Sequence, residues 1–168
     1  ASNNTALGYI ALNVNTTGTK NTAVGATALD ANTTASDNTA IGFDSLGANT
    51  TGSANTAVGR EAMEGNTTGS SNTALGCAAL AVQTTASNNT AIGFNAMLAN
   101  TTGADNASFG KDSMVSNTTG SHNTALGLGA LASNTTASNN TAVGRSALLL
   151  NTTGTDNTAY GNRAADSM

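Results

Sequence analysis

The stretch Asn4-Thr5-Ala6-Leu7-Gly8 decides the fold, because variants of it begin ten times along the 168-residue chain, always 17 residues apart. The later copies begin at Asn21, Asn38, Asn55, Asn72, Asn89, Asn106, Asn123, Asn140 and Asn157. No insertion or deletion interrupts the series, so each copy is one structural unit stacked on the next. The sequence therefore predicts a single repeat array over residues 1–168.

The composition excludes a thick hydrophobic core and several classes of partner. Hydrophobic residues make up 38% of the chain, but aromatic residues make up only 3% and there is no tryptophan. Burial must therefore be shared between neighbouring coils and between chains. A net charge of -4 without a basic cluster argues against nucleic acid and anionic membranes as partners. The sequence also lacks an apolar run long enough for a membrane span.

The repeat reads N-T-A-h-G-x-x-A-h-x-x-N-T-T-G-x-x, where h is a large apolar residue. Two glycines and a Thr-Thr pair in most units make a poor helix, whereas the first h is strongly β-forming. We therefore predict an all-β β-solenoid of ten 17-residue repeats with two short strands per coil. The predicted structural core of the first five repeats is Leu7, Gly8, Leu12, Val24, Gly25, Leu29, Ile41, Gly42, Leu46, Val58, Gly59, Met63, Leu75, Gly76 and Leu80.

Small residues stand beside the large apolar ones throughout the chain. Ala6 precedes Leu7, Ala11 precedes Leu12, and the later copies of both alanines are always Ala or Ser. In a strand, adjacent side chains point to opposite faces, so both faces are expected to be in contact with something. One face would line the coil and the other would pack against a neighbouring chain. The residues do not show which of the two faces lines the coil. If the chain forms a trimer, we expect the small-residue face to form the contact between chains.

The polar columns predict ladders and turns. All fourteen charged residues, five basic and nine acidic, fall in the six x columns, which we interpret as solvent-facing turns. Stacked asparagines at fixed positions predict hydrogen-bonded amide ladders along the axis. The glycine at Gly8 and its copies predicts a corner. The later glycine becomes Ala35, Ala86 and Ala137 at intervals of 51 residues, which indicates duplication in blocks of three repeats, with a three-coil structural period as the alternative.

No constellation of residues indicates catalysis, a metal or a cofactor. A nucleophile with its base would have to break the repeat, and no such set stands out. His122 is the only histidine and occupies a turn column. Asp37, Asp105 and Asp156 share one column, but most sister coils lack a carboxylate there, which argues against calcium. Cys77 is a single cysteine at a variable position. We predict that the chain is not an enzyme.

The Asn-Thr-Thr arm allows three interpretations. Its asparagines stand in N-x-T sequons, so they are candidate glycosylation sites in a secreted chain. The alternative is a purely structural Asn ladder. The regular threonines also suggest an ice-binding function. Thr16 and Thr17 are neighbours, however, and should point to opposite faces, which leaves only one outward row where a flat ice-binding surface needs at least two. The sequon asparagines are Asn15, Asn32, Asn49, Asn66, Asn100, Asn117, Asn134 and Asn151, with Gln83 the exception.

The motif Ala6-Leu7-Gly8 followed by Ala11, with its copies, resembles the head repeats of trimeric autotransporter adhesins and related repeats of phage tail fibres. The resemblance covers nearly the whole chain. It implies a left-handed parallel β-roll, three chains around a common axis, and an extracellular fibre or adhesin. The adhesin repeat is usually shorter, and the N-T-T-G-x-x arm has no counterpart in its core motif.

These features predict a non-enzymatic fibre segment at a cell or virion surface, acting as spacer, head or shaft of an adhesin. Its expected partners are copies of itself, as a homotrimer, and a host-surface glycan or protein. A self-polymerising extracellular filament is the alternative, and an ice-binding solenoid is a further one. Ala1-Ser2-Asn3 matches the end of a repeat, so we expect this chain to be a segment of a longer one.

Overall fold

The computed structural model describes residues 1–167, which form one parallel sheet of ten three-residue strands. The strands are β1 (Thr5–Leu7), β2 (Thr22–Val24), β3 (Thr39–Ile41), β4 (Thr56–Val58), β5 (Thr73–Leu75), β6 (Thr90–Ile92), β7 (Ala107–Phe109), β8 (Thr124–Leu126), β9 (Thr141–Val143) and β10 (Thr158–Tyr160). They stack in sequence order. Within these residues, no helix has the length and apolar character that crossing a membrane requires.

Each strand pairs in parallel with the next one, in a register of one repeat. Ala6 pairs with Ala23 and Leu7 pairs with Val24, and the same register continues to β10. Hydrogen bonds between coils continue outside the strands, for example from Leu12 N–H to Ala28 O at 3.0 Å. At the usual spacing of about 4.8 Å, ten stacked strands extend roughly 45 Å. The predicted β-solenoid is therefore present.

The prediction of a second strand in each coil is wrong. The second apolar residue lies in a turn with a left-handed backbone, as at Leu29, whose φ is 53°. Ala28 and Leu29 are both fully buried, although they are adjacent. A strand would point these two side chains to opposite faces, whereas the left-handed residue turns both inward. The short coil closes around its core by this turn.

The core is thin and runs the length of the stack. The alanine at the centre of each inner strand, replaced by Ser108 in β7, is buried, and it meets the buried Ala or Ser and the Leu or Met of the turn. The column of large core residues is Leu29, Leu46, Met63, Leu80, Met97, Met114, Leu131 and Leu148, all fully buried. The small-residue face of the strands is therefore inside the solenoid, and the expectation that it forms a seam between chains is wrong.

The glycine that follows each strand forms the corner predicted for it. Gly76 has a φ of +139°, and a Cβ added there would lie 2.4 Å from the carbonyl oxygen of Gly93 in the next coil. Any side chain at this position would therefore collide with backbone as well as require an unfavourable φ. Gly161 is the informative exception, because its Cβ would meet only the Ala164 side chain at 3.8 Å.

Side-chain ladders connect the coils, as the sequence predicts for asparagine. In the first ladder, Asn38 N–H donates to Asn21 Oδ1 at 3.0 Å, and Asn38 Nδ2 donates to Gly52 O at 2.9 Å. In the second, Asn66 Nδ2 donates to Asn49 Oδ1 at 2.9 Å. Every buried side-chain nitrogen or oxygen in residues 1–167 has a partner. Together these bonds fix one coil on the next.

The three-coil period has a structural counterpart in the Asn-Thr-Thr arm. Thr16 N–H donates to Thr33 O at 2.8 Å. The equivalent bond from Thr33 N–H to Thr50 O is longer, at 3.3 Å, and Thr33 belongs to the coil that contains Ala35. The same lengthening occurs above Ala86 and Ala137, where the corresponding distances are 3.3 Å and 3.2 Å. At the equivalent Gly52, an added Cβ would lie 2.2 Å from the carbonyl oxygen of the next coil, so a coil with alanine there must open slightly.

Candidate functional site: the outer face of the sheet

The large apolar residue of each strand points away from the core. Leu75 is 46% exposed and Leu126 is 49% exposed, while the alanine beside each is fully buried. We call this row the apolar column: Leu7, Val24, Ile41, Val58, Leu75, Ile92, Phe109, Leu126, Val143 and Tyr160. The structure thus separates the two apolar columns of the sequence, one inside and one outside. An apolar row that continues along the whole stack is a feature of interaction surfaces.

Threonine completes the outer face of the sheet. Thr73 lies two residues before Leu75 and therefore points to the same side of β5, as its copies do in the other strands. Apolar side chains extend the face past the glycine corner, because Phe43, Phe94 and Leu128 are each about half exposed. Lys111 Nζ lies 5.8 Å from the centre of the Phe94 ring, in reach of a cation–π interaction.

Opposite charges border the two sides of this outer face. After the glycine corner stand the exposed cations Arg60, Lys111 and Arg145, which we call the basic flank. Immediately before the first Asn of a coil stand the exposed carboxylates Asp37, Asp105 and Asp156, which we call the acidic flank. The turn column next to the basic flank also holds acids, including Glu61 and Asp112, which are half-buried and pair with Arg60 and Lys111.

A second acidic group consists of Asp30, Asp44 and Glu64, and Asp44 stands in the same turn column as Glu61 and Asp112. Burial raises the pKa of Asp30, and the negative charge of Asp44 raises it further. Burial likewise raises the pKa of Glu64, with added repulsion from Asp44 and Glu61. Asp44 therefore disfavours the charged form of two neighbouring carboxyl groups. Within residues 1–167, no three His, Cys, Asp or Glu side chains form a group that could hold a metal ion.

The asparagines of the sequons lie inside the solenoid. Asn32, Asn49 and Asn66 are fully buried, and so are Asn100, Asn117 and Asn134. Asn49 Nδ2 donates to Gly52 O at 3.0 Å and to Asn32 Oδ1 at 3.3 Å. Glycosylation replaces one of the two hydrogens on this nitrogen, so a glycan would remove one of the two bonds and would have no room at a buried residue. Asn15, at the first coil, is half-buried, and Asn151 at the ninth is nearly buried.

Gln83, the exception in the sequon column, joins the two Asn ladders. Its Oε1 accepts from Asn89 Nδ2 at 2.9 Å and from Asn100 Nδ2 at 3.2 Å. Its Nε2 donates to Asn66 Oδ1 at 3.4 Å. The longer side chain therefore keeps the buried amide network closed where the asparagine is missing.

Both threonine rows of the arm are at the surface, contrary to the sequence prediction. Thr51 is exposed and Thr50 is half-buried, because the arm is a bend and not a strand. Thr50 Oγ1 donates to Thr67 O at 3.1 Å and so supports the stack. The argument that one row must face inward is thus wrong. Ice binding stays a prediction, and thermal hysteresis of the purified protein tests it.

The remaining candidate residues occupy the turns. His122 is exposed in the same column as the acidic flank. Cys77 is a free, half-buried thiol in the column of the basic flank, and Arg60 donates to its Sγ at 3.4 Å. Sequence reasoning missed a serine ladder, in which Ser53 N–H donates to Ser70 Oγ at 3.0 Å. The near-constant Ser or Thr two residues before each first Asn was the available signal.

Comparison with known proteins finds no match, since no family model, curated protein or solved structure is similar to this chain. The likeness to adhesin head repeats therefore stays a prediction carried by the Ala-apolar-Gly motif. Inference about function rests on the outer face of the sheet and on the stiffness of the stack.

Proposed function

We propose that this chain is a non-enzymatic segment of an extracellular fibre, in which copies pack side by side through the outer face of the sheet. The observation that carries the proposal is the apolar column, a continuous row of large side chains left partly exposed along the stack. A soluble monomer rarely exposes a contiguous apolar row of this kind, and burying it drives association. A homotrimer is the assembly that the adhesin resemblance implies.

The interior supports a mechanical function. Backbone bonds and two Asn ladders join each inner coil to both neighbours, and a Ser ladder that is interrupted at Ala104 adds to them. Stability in such an array is the sum of repeat and nearest-neighbour terms, so length is added without a new core. The proposed role is therefore that of a stiff spacer, shaft or head of a surface adhesin or tail fibre, with a host-surface glycan or protein as its distal partner.

Light scattering of the purified chain, combined with negative-stain imaging, tests the proposal. The expected result is short rods with a mass near three times 16.3 kDa. A monomer at all accessible concentrations would overturn it. The double variant Leu75→Thr and Leu126→Thr removes apolar surface while keeping residues suited to strands, and it should dissociate the assembly. Val82→Thr with Leu150→Thr is the matched control, since both residues are half exposed outside this face.

A head-to-tail filament is the second candidate. Each inner strand pairs in the same register with a copy of itself on either side, so the repeat is self-complementary along the axis of the stack. Contact of this kind does not close and would generate fibres. Long filaments in the same images, unaffected by the Leu75→Thr and Leu126→Thr double variant, would favour this arrangement over lateral packing.

A further inference from the structure

We infer that neighbouring copies lie parallel and level with one another, with the basic flank of each facing the acidic flank of the next. This inference rests on the proposed lateral packing and specifies its partner, polarity and register. The occupant of the outer face is a second copy of this chain. The positions of the six exposed charges in the two flanks indicate this polarity and register.

Symmetry determines which flanks can meet. If copies are related by rotation about an axis parallel to the stack, the basic flank of one faces the acidic flank of its neighbour at the same height. If they are related by a two-fold axis perpendicular to the stack, each flank faces its own kind. The charges of the two flanks therefore distinguish parallel from antiparallel packing.

The charges match in the parallel, level arrangement. Lys111 follows β7 and Asp105 precedes β7, so Lys111 of one chain meets Asp105 of its neighbour at the same level of the stack. Arg60 follows β4 and lies one coil from Asp37 before β3, while Arg145 follows β9 and lies one coil from Asp156 before β10. One coil step is about 4.8 Å, which long Arg side chains span. All three cations thus have an acid of the neighbour within one step.

The remaining charges of the acidic column do not conflict with this register. Lys20 lies at the level of β2 and His122 at the level of β8, where the facing residues of the neighbour are Ala26 and Leu128. In a centred antiparallel pair, by contrast, Arg60 at the fourth level would face Lys111 at the seventh. Facing like charges disfavour this arrangement, although each of these cations is paired with an acid of its own chain, which lowers the repulsion.

The ion pairs that form within one chain are compatible with pairing of the flanks across chains. Lys20 Nζ lies 3.8 Å from Asp37, Lys111 Nζ lies 3.7 Å from Asp112, and Arg60 pairs with Glu61. All are at the surface, where such pairs contribute little and exchange partners readily. The cross-chain pairs would therefore set polarity and register, while the apolar column supplies most of the driving force.

Charge reversal tests the inference. Reversing the basic flank alone (Arg60→Glu, Lys111→Glu and Arg145→Glu) should weaken association at least about tenfold at low salt. Reversing the acidic flank alone (Asp37→Arg, Asp105→Arg and Asp156→Arg) should do the same. Combining both reversals in one chain should restore association, because the flanks are again opposite. Undiminished association of either single-flank variant would overturn the inference.

Crosslinking tests the register directly and uses the native Cys77. Ser71 lies before β5 in the column of the acidic flank, and Cys77 follows β5 in that of the basic flank. With Ser71→Cys, a short bismaleimide should link separate chains on a denaturing gel. His122→Cys is the matched control, three coils or about 14 Å away, and should not link. Ala54→Cys and Asn88→Cys, one coil below and above, should link less than Ser71→Cys.

The outcomes separate the inference from the proposed function. A monomeric chain means that the proposed lateral packing itself fails. An assembled chain that links through Cys77 alone, without Ser71→Cys, means antiparallel packing and overturns the inference while the proposed function stands. Stronger linking through Ala54→Cys or Asn88→Cys overturns the level register.

Discussion

Leu75 and Leu80 lie five residues apart in one coil, yet Leu80 is fully buried and Leu75 is 46% exposed on the opposite side of the sheet. Leu80 contributes to the core between Met63 and Met97 of the neighbouring coils, whereas Leu75 belongs to the apolar column. Two identical side chains therefore have different roles, and they provide a matched pair for separating folding from association.

Replacing Leu80 with alanine should destabilise the fold, whereas Leu75→Ala should act on association. Leu80→Ala leaves a cavity in a thin core and should cost about 2–5 kcal/mol in the free energy of unfolding. Leu75→Ala removes a half-exposed side chain and should mainly raise the concentration needed for assembly. Urea denaturation and concentration-dependent light scattering measure the two effects. Equal loss of melting temperature in both variants would contradict the inside and outside assignment.

Substituting the corner glycine should have a large effect in the middle of the stack and a smaller one at its end. Gly76→Ala brings a Cβ against Gly93 O and should cost roughly 2–4 kcal/mol. Gly161→Ala has a similar positive φ, but its Cβ meets no backbone atom within 4 Å, so only the conformational term remains. Thermal melts of both variants compare these costs. A smaller loss for Gly76→Ala than for Gly161→Ala would be inconsistent with the corner contact.

Removing one rung of the second Asn ladder should leave a buried partner unsatisfied. Asn66 Nδ2 donates to Gly69 O and to Asn49 Oδ1, so Asn66→Ala should cost about 1–3 kcal/mol. Asn66→Gln should be better tolerated, because Gln83 already occupies this column. Denaturation midpoints of the two variants provide the comparison. If Asn66→Ala matched the unmodified chain, the ladder would have no role in stability.

Acidification should stabilise the turns around Asp44. The pKa values of Asp30 and Glu64 are raised in the folded chain, so their favourable contribution is complete below the unfolded values and is lost as the pH rises through the folded ones. Lowering the pH from 7 to about 4.5 should therefore raise the melting temperature through these groups.

Asp44→Asn separates this contribution from those of other carboxyl groups. Asn95 stands in the same column with a φ of 53°, so the backbone accepts an amide there. The variant should melt higher at pH 7 and gain less on acidification than the unmodified chain. An unchanged pH dependence in the variant would contradict the proposed repulsion.

The folded chain should not carry N-linked sugar at the inner sequons. The Nδ2 atoms of residues such as Asn49 and Asn117 are buried and donate to neighbouring coils. After expression through the secretory pathway of a glycosylating host, intact-mass measurement should give the mass of the bare chain at these positions. Added hexose mass on peptides that contain Asn49 or Asn117 would show that modification precedes folding and that the ladder is not obligatory.

The repeat, its 17-residue period, the all-β class, the corner at Gly76 and the Asn ladders could all be predicted from the amino-acid sequence. These follow from local chemistry, because a fixed period aligns identical residues and each amide can then bond to its own copy. Charged residues identified the turns for the same reason, since each coil has few positions that remain in water.

Which apolar column lies inside could not be predicted from the sequence and became clear from the folded coil. Leu75 and Leu80 both follow an alanine, and a strand model treats the two alike. The left-handed φ of Leu80, 53°, instead places adjacent Ala79 and Leu80 inside together, and the interior then has room only for alanine from β5. The large residues of the strands are consequently outside, where they form the candidate surface. That outcome depends on how 17 residues close into one coil, which is a property of the whole turn and not of any local pattern.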